Sequence, residues 1–304
     1  MRKKSLCIGL VFALLFTACR DSGSSNDLQT TIAQTSPPEL AITVEPERSS
    51  WPPPPKQEQM LELEDATVIR ESPFDETELR LYAQNVYYSI YLFSEGMLYT
   101  NGDSPKMPAA SVIKVFIMQY AYSLIAQGKL SADDTIAGQG VRQLIESMIQ
   151  QSDNTATNIL IDYFGMDEMN QYFLEQGFAE TVLQRRMLDT AARNQGLDNY
   201  TSTRDALAFL RHLYINQTVF PYDEMLEVMK GQQVRTKIHL FLPPDTIVAS
   251  KTGELHDVEN DIGLVFAEDS AFAIVVLTDG VHNSAAARQA IGRLALQAYL
   301  YNRD

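Results

Sequence analysis

Ser111-Val112-Ile113-Lys114 opens the stretch of sequence that decides the fold of this chain. The residues that follow, 115–126, carry no charged side chain and would be apolar on every side of a helix. This pattern predicts a fully buried helix from Val115 to Ala126, with Gly128 as the residue that ends it. Because an extended segment precedes it, Ser111 is expected at the helix N-terminus, and Lys114 lies one turn further on the same face.

The segments before this helix are rich in Tyr, Val and Ile, which favour strands. We expect a helix from Glu76 to Gln84, a strand from Val86 to Phe93, a turn at Glu95-Gly96 and a returning strand from Met97 to Thr100. These elements would bring the N-terminal part of the fold next to the buried helix.

The rest of the chain predicts helices first and then strands. Helical patterns cover Val141–Ile149, Thr155–Tyr163 and Glu168–Gln176, and a last helix covers Ser284–Leu300. Strands are expected at Ile247–Ser250, Gly263–Ala267 and Phe272–Thr278, the last two joined at Glu268-Asp269-Ser270. The fold class is therefore α/β (α+β): one antiparallel sheet built from both chain ends, flanked by the terminal helices, plus an all-helical lobe.

The N-terminal segment predicts export. Residues 1–18 combine a positive start with an apolar run too short to span a bilayer, as in a secretory signal peptide, and the residues up to Cys19 resemble a bacterial lipoprotein processing site. Cys19 would then carry the lipid, residues 19–60 would form a disordered tether rich in Pro and Ser, and residues 61–304 would form the folded domain. This predicts an exported protein, lipid-anchored to the outer face of a bacterial membrane. The alternative is a membrane-anchoring segment that is never cleaved.

Composition narrows the range of functions. The formal net charge of −15 argues against nucleic acid as a partner, because phosphate binding requires a basic face; a solvated acidic surface explains the charge. The two cysteines, Cys7 and Cys19, lie in the predicted signal segment and at its end, so the folded domain has no thiol. There is no cluster of Cys and His at metal-ligand spacing, and neither a metal nor another cofactor is expected.

The first motif offers a nucleophile and a base. At a helix N-terminus the unpaired N–H groups and the helix dipole stabilise negative charge as it develops near Ser111. A buried Lys114 would lose proton affinity and could take the proton of Ser111. Taken alone, the tetrapeptide fits a helix N-cap followed by a surface lysine better.

Two further motifs supply a relay and an anion subsite. Ser152-Asp153-Asn154 falls between two predicted helices, where Ser152 could pass a proton to a leaving nitrogen and Asn154 could hold Lys114 or a substrate amide; an Asp-Asn cap of the next helix is the alternative.

Lys251-Thr252-Gly253 follows a strand, where Lys251 and Thr252 could bind a carboxylate. Gly253 would allow close backbone approach, and the N–H groups of Glu254 and Ser111 could form an oxyanion hole. An ordinary strand end is the alternative here.

The ordered set of three motifs resembles the penicillin-recognising serine hydrolases, and most closely the class A β-lactamases. The residues that carry the resemblance are Ser111-Val-Ile-Lys114, Gln151-Ser-Asp-Asn-Thr-Ala-Thr-Asn158 and Ser250-Lys-Thr-Gly253, within roughly residues 75–304. It implies a sheet lobe and a helical lobe with the site between them. It also implies an acyl-enzyme on Ser111, with a β-lactam or a D-alanyl peptide of the cell wall as substrate.

One element of that family's pattern is absent from the sequence. Class A enzymes carry a loop Glu that activates the deacylating water, but this chain has no Glu between Glu180 and Glu224. Asp189 is the nearest acid in the loop, with a salt bridge inside the loop as its alternative role. Without that carboxylate the acyl-enzyme should be long-lived. A D-Ala-D-Ala carboxypeptidase-like penicillin-binding protein with slow β-lactam turnover, and a non-catalytic lipoprotein that binds wall peptides, therefore stay as alternatives.

Overall fold

The structure is a computed structural model that describes residues 67–267 and 270–303. The predicted signal peptide 1–18, the lipidation residue Cys19 and the tether 19–60 lie outside the described residues, as does most of the predicted turn at Glu268-Asp269-Ser270. Within the described part of the chain, no helix is long and apolar enough to cross a bilayer.

A six-stranded sheet forms the centre of the fold, with strand order β1-β3-β2-β10-β9-β8. The strands of the structure are β1 Thr67–Ile69, β2 Ala83–Leu92, β3 Met97–Thr100, β4 Met107–Pro108, β5 Thr135–Ile136, β6 Gln139–Gly140, β7 Tyr200–Thr201, β8 Ile247–Leu255, β9 Val258–Ala267 and β10 Ser270–Val281. Strands from both ends of the chain share the sheet, as predicted. All its pairs are antiparallel except β1 with β3, which is parallel and was not foreseen.

The helices fall between β4 and β8, with one before and one after this region. They are α1 Thr77–Arg80, α2 Ile113–Ala126, α3 Val141–Gln150, α4 Asn154–Phe164, α5 Met166–Glu175, α6 Thr190–Asn194, α7 Thr203–Ile215, α8 Tyr222–Lys230 and α9 Ser284–Tyr301. The predicted helices at α2, α3, α4, α5 and α9 are present with boundaries that differ by one or two residues, and the fold class is confirmed.

The helix predicted from Glu76 to Gln84 is wrong over most of its length. Only Thr77–Arg80 is helical, and β2 already begins at Ala83. The reason is tertiary: β10 extends far enough to pair Val281 with Ala83 and Asp279 with Asn85. The sheet ladder overrides the local helical preference of these residues.

The sheet is buried on both faces, and β10 shows how. Its side chains alternate: Ala273, Val275 and Leu277 pack into the core shared with the helical lobe, whereas Phe272, Ile274 and Val276 pack into the core under α9. The helix α2 lies at the centre of the first core, where residues from Ile113 to Met118 are fully buried. Lys114 is among these buried residues, and it is the one charged side chain of α2.

Candidate active site

Ser111 lies in a 3₁₀ turn, Ala110–Val112, that runs directly into α2. Ala110 before it has φ +49°, a left-handed conformation that costs a residue with a Cβ energy and clusters at functional sites. The segment is held from two sides, because Ala109 N donates to Asn199 O across 2.7 Å and Asn260 Nδ2 donates to Pro108 O across 2.8 Å. The Ser111 side chain is half-buried at the start of the helix.

Lys114 is fully buried and points into the loop between α3 and α4. Its Nζ donates to Ser152 O (2.7 Å), to Asn154 Oδ1 (2.9 Å) and to Ser152 Oγ (3.2 Å). Burial lowers the pKa of the Lys114 ammonium from 10.5 to about 7, although the negative charge of Asp153 acts in the opposite direction. This is not the environment of a surface lysine. A large fraction of these amines is neutral at physiological pH and can accept a proton.

The Ser152-Asp153-Asn154 loop caps α4 and also contacts Lys114. Asp153 caps α4, because its Oδ1 accepts hydrogen bonds from Thr155 N (2.6 Å) and Ala156 N (3.0 Å). Ser152 has φ +58°, a left-handed conformation, and its carbonyl and hydroxyl both face Lys114. The cap therefore fixes the loop, and the flanking residues Ser152 and Asn154 are free to form the site.

Lys251 brings the sheet into contact with this loop. It lies on β8, the edge strand, and is fully buried; its Nζ donates to Ser152 Oγ (3.0 Å) and to Thr252 O (2.9 Å). Burial first, and then the positive charge of Lys114, hold the pKa of Lys251 well below its usual value. Ser152 Oγ therefore accepts hydrogen bonds from two lysine side chains, and burial disfavours the protonated form of each.

Gly253 allows β8 to approach the start of α2. A Cβ at this position would lie 2.8 Å from Ala109 O and 3.2 Å from Ser111 N, so any other residue would push the strand away. The close approach places the β8 backbone beside the Ser111 N–H, as an oxyanion hole requires. Thr252 is buried, and Glu254 holds its carboxylate towards Lys237 Nζ (2.7 Å).

In the loop of residues 180–199, Met187 rather than Asp189 contacts α4, the helix that begins at Asn154. Asn158, one turn after Asn154 on α4, clamps Met187: Met187 N donates to Asn158 Oδ1 (2.8 Å), and Asn158 Nδ2 donates to Met187 O (3.1 Å). Met187 is buried in the core of the helical lobe. Asp189 instead caps α6, where its Oδ1 accepts from Ala192 N across 2.9 Å.

A buried ion pair links two distant residues of the same loop. Arg185 Nε donates to Asp198 Oδ1 across 2.7 Å, and both side chains are almost completely buried. Arg193 binds the other oxygen of Asp198 at 3.0 Å and also reaches Asp257, on the turn between β8 and β9, at 2.7 Å. The ion pairs thus connect the loop to the sheet.

The sequence motifs did not reveal three features of the site. These are the position of Met187, the role of Asn158 in holding it, and the contact of Lys237 with Glu254. Asn158 had a usable signal, since it follows Asn154 by four residues on a predicted helix. The other two depend on contacts between distant segments. Among the described residues there is no cluster of His, Cys, Asp and Glu that could hold a metal ion.

Comparisons with known proteins agree with this geometry. Residues 77–302 match the model of a family described as the beta-lactamase enzyme family. No curated protein matches the chain.

Several solved structures share the fold at low identity. A β-lactamase from Chitinophaga pinensis is 21% identical, with a TM-score of 0.69 over 74% of this chain and 96% of that one. A β-lactamase from Sphaerobacter thermophilus is 23% identical, with a TM-score of 0.65 over 72% and 92%. PBP-A is 21% identical, with a TM-score of 0.68 over 78% and 98%. Since the family model covers most of the sequence and the structures confirm the fold, the chain belongs to the beta-lactamase enzyme family, a group of penicillin-recognising serine hydrolases.

Proposed function

We propose that this protein forms a covalent acyl-enzyme with β-lactams through Ser111. Ser111 Oγ attacks the carbonyl carbon of the lactam ring and gives its proton to the neutral amine of Lys114. The carbon–nitrogen bond of the ring then breaks, and the leaving nitrogen takes the hydroxyl proton of Ser152. Lys114 or Lys251, each within hydrogen-bond distance of Ser152 Oγ, returns a proton to it.

The state of Lys114 is the observation that carries the proposal. A lysine with 0% exposure and a pKa of about 7 is costly to a fold, and a protein that merely bound peptides would gain nothing from it. Its hydrogen bonds to Ser152 and Asn154 join the first two motifs, and the hydrogen bond from Lys251 to Ser152 Oγ adds the third. This argues against a non-catalytic lipoprotein that binds wall peptides.

A second candidate within the same chemistry is a penicillin-binding protein that acts on D-alanyl peptides and releases β-lactams slowly. The clamp on Met187 favours it, because the loop residue that is held beside α4 is a methionine and has no carboxylate that could activate water. PBP-A supports it as well, since a variant of that protein was solved as an acyl-enzyme complex with penicillin G. Both candidates share the acylation of Ser111 and differ in the rate of the next step.

Intact-mass analysis after incubation with benzylpenicillin tests the shared step. The wild type should gain the mass of one penicilloyl group, and Ser111→Ala should gain none. Absence of the adduct on wild type, or equal labelling of Ser111→Ala, would overturn the proposal. Turnover of a chromogenic cephalosporin in excess then separates the candidates: sustained hydrolysis identifies a β-lactamase, and a single stoichiometric burst identifies a penicillin-binding protein.

We also propose that the domain is exported and held at the outer face of a bacterial membrane by lipid on Cys19, on the strength of the N-terminal sequence. Metabolic labelling with a radioactive fatty acid should mark the wild type and not Cys19→Ala. Equal labelling, or none in either, would remove the anchor from the proposal.

A further inference from the structure

The face of β8 that carries Thr252 is unusually acidic. Side chains of a strand alternate between faces, so Lys251 and Gly253 point to the helical lobe, and Thr252 and Glu254 share the opposite face. The contacts agree: Lys251 reaches Ser152, whereas Glu254 reaches residues that cover the α9 side.

The neighbouring strand adds two more acids to this face. In the β8–β9 register Glu254 lies opposite Glu259, and Thr252 lies opposite Asp261. We call Glu254, Glu259 and Asp261 the acidic block. Like charges directly opposite each other in a sheet repel unless cations separate them.

Two cationic side chains contact the acidic block, and each of them forms ion pairs with both glutamates. Lys237 Nζ lies 2.7 Å from Glu254 Oε1 and 3.1 Å from Glu259 Oε2. Arg288 Nη2 lies 3.1 Å from Glu254 Oε2 and 2.9 Å from Glu259 Oε1. The third acid, Asp261, accepts from Ile238 N at 3.0 Å, and its other oxygen has no hydrogen-bond partner among the described residues.

Exposure decides which of these groups a ligand would meet. Lys237, Glu259 and Asp261 are fully buried, whereas the side chain of Glu254 is 37% exposed and that of Arg288 is 33% exposed. Burial on its own would raise the pKa of Glu254, but the charge and hydrogen bond of Lys237, followed by Arg288, outweigh it, so the pKa is lowered. A ligand that passes Thr252 therefore meets an ionised carboxylate and a guanidinium that is already paired.

Lys251 points to the other face of β8 and does not pair with the acidic block. Burial and the neighbouring charge of Lys114 hold its pKa well below the usual value, and its Nζ donates to Ser152 Oγ and Thr252 O. A carboxylate placed beside Thr252 would thus lie near Glu254 in a partly buried site, where salt screens charges less than it does in open water.

We propose that Glu254 is a specificity-determining residue that disfavours acyl donors with a free carboxylate beside the scissile bond and favours donors whose corresponding group is uncharged. The inference rests on the proposed acylation of Ser111. It concerns the group recognised by the Thr252 face, and it does not depend on how fast the acyl-enzyme is hydrolysed.

Benzylpenicillin and its methyl ester test the inference, since they share the lactam ring and side chain and differ in one charge. The measurement is the second-order rate constant of Ser111 acylation, followed by intact mass. For Glu254→Gln, which keeps the backbone N–H, we expect a rate about 10-fold higher than wild type with the acid and a change of less than about 2-fold with the ester. Comparing each compound between variants cancels the different intrinsic reactivity of the two lactams.

Glu227→Gln is the matched control, because it makes the same charge change at an exposed position on α8. It should leave both rates unchanged.

The outcomes separate the two proposals. If neither compound acylates the wild type, the proposed function fails and this inference fails with it. If both acylate it, but Glu254→Gln leaves their ratio unchanged or slows the acid, only the role of Glu254 is overturned.

Discussion

Lys251 Nζ and Ser152 Oγ lie 3.0 Å apart and join the edge of the sheet to the loop between α3 and α4. The same Ser152 oxygen also accepts from Lys114 Nζ at 3.2 Å. A single hydroxyl oxygen therefore accepts hydrogen bonds from amines on both lobes, and burial lowers the pKa of each amine. This arrangement suits a relay, because Ser152 can give its own proton to a substrate while a neighbour replaces it.

Replacing this hydroxyl should disable acylation without unfolding the protein. We expect Ser152→Ala to lower the rate constant of Ser111 acylation by about 100-fold, the lower end of what a positioned acid–base group contributes. Ser131→Ala, on the exposed turn before β5, makes the same chemical change and should have no effect. Stopped-flow measurement with a chromogenic cephalosporin would decide; a loss below about 3-fold would exclude the relay.

The pH dependence of acylation should report Lys114. Its lowered pKa of about 7 means that the neutral, proton-accepting amine grows from a minor to the major form as pH rises through 7. The acylation rate constant should therefore rise about 10-fold for each pH unit below 7 and level off above it. Lys114→Arg, which keeps the charge and cannot lose it, should show no such rise and should be slower by about 100-fold or more. A wild-type rate that is flat from pH 5 to 9 would contradict the assignment of Lys114 as base.

The sequence sufficed for residues whose positions follow from local geometry. Ser111 and Lys114 are one helical turn apart, and Ser152 and Asn154 flank a helix cap, so spacing alone predicts that the members of each pair lie close together. The charge-free run after Lys114 also predicts correctly that the helix is buried. These are short-range relationships, which a single sequence records.

Long-range contacts explain what the sequence did not reveal. Met187 is fixed by Asn158, and Glu254 by Lys237 and Arg288, across separations that no periodicity connects. The pairing of Val281 with Ala83 likewise converts a predicted helix end into strand β2. In each case a contact formed only in the folded chain outweighs the local preference.

The close approach at Gly253 gives a further prediction for acylation. Gly253→Ala would place a methyl group 2.8 Å from Ala109 O and 3.2 Å from Ser111 N, which moves β8 away from the nucleophile. Loss of one oxyanion donor costs about 100-fold or more in rate, and we expect a loss of that order. Gly140→Ala is the matched control, because nothing lies within 4 Å of its added Cβ. Equal acylation rates of the two variants would show that the approach of β8 is not needed.

The buried ion pair at the base of the loop predicts an effect on stability. Arg185→Ala leaves Asp198 buried with Arg193 as its remaining cation. Removing one partner of a buried pair costs about 3–5 kcal/mol, and the retained Arg193 favours the lower end, about 3 kcal/mol. Arg142→Ala breaks an exposed pair with Glu224 and should cost less than about 1 kcal/mol. Urea unfolding of both variants measures the difference; equal losses would mean that the loop pair is not structural.

The clamp on Met187 gives the most informative test of the deacylation step. Asn158 binds both backbone groups of Met187, so a side chain at this position starts from a fixed point next to the helix that carries Asn154. Met187→Glu would add a carboxylate there, and partial burial would raise its pKa towards the range in which it can accept a proton from water. We expect deacylation of the penicilloyl-enzyme to become about 100-fold faster, measured as the decay of the adduct by intact mass. Met187→Gln is nearly isosteric and cannot act as a base, so it should leave the adduct as long-lived as in the wild type. If both variants decay at the wild-type rate, the absence of a carboxylate at position 187 is not what limits deacylation.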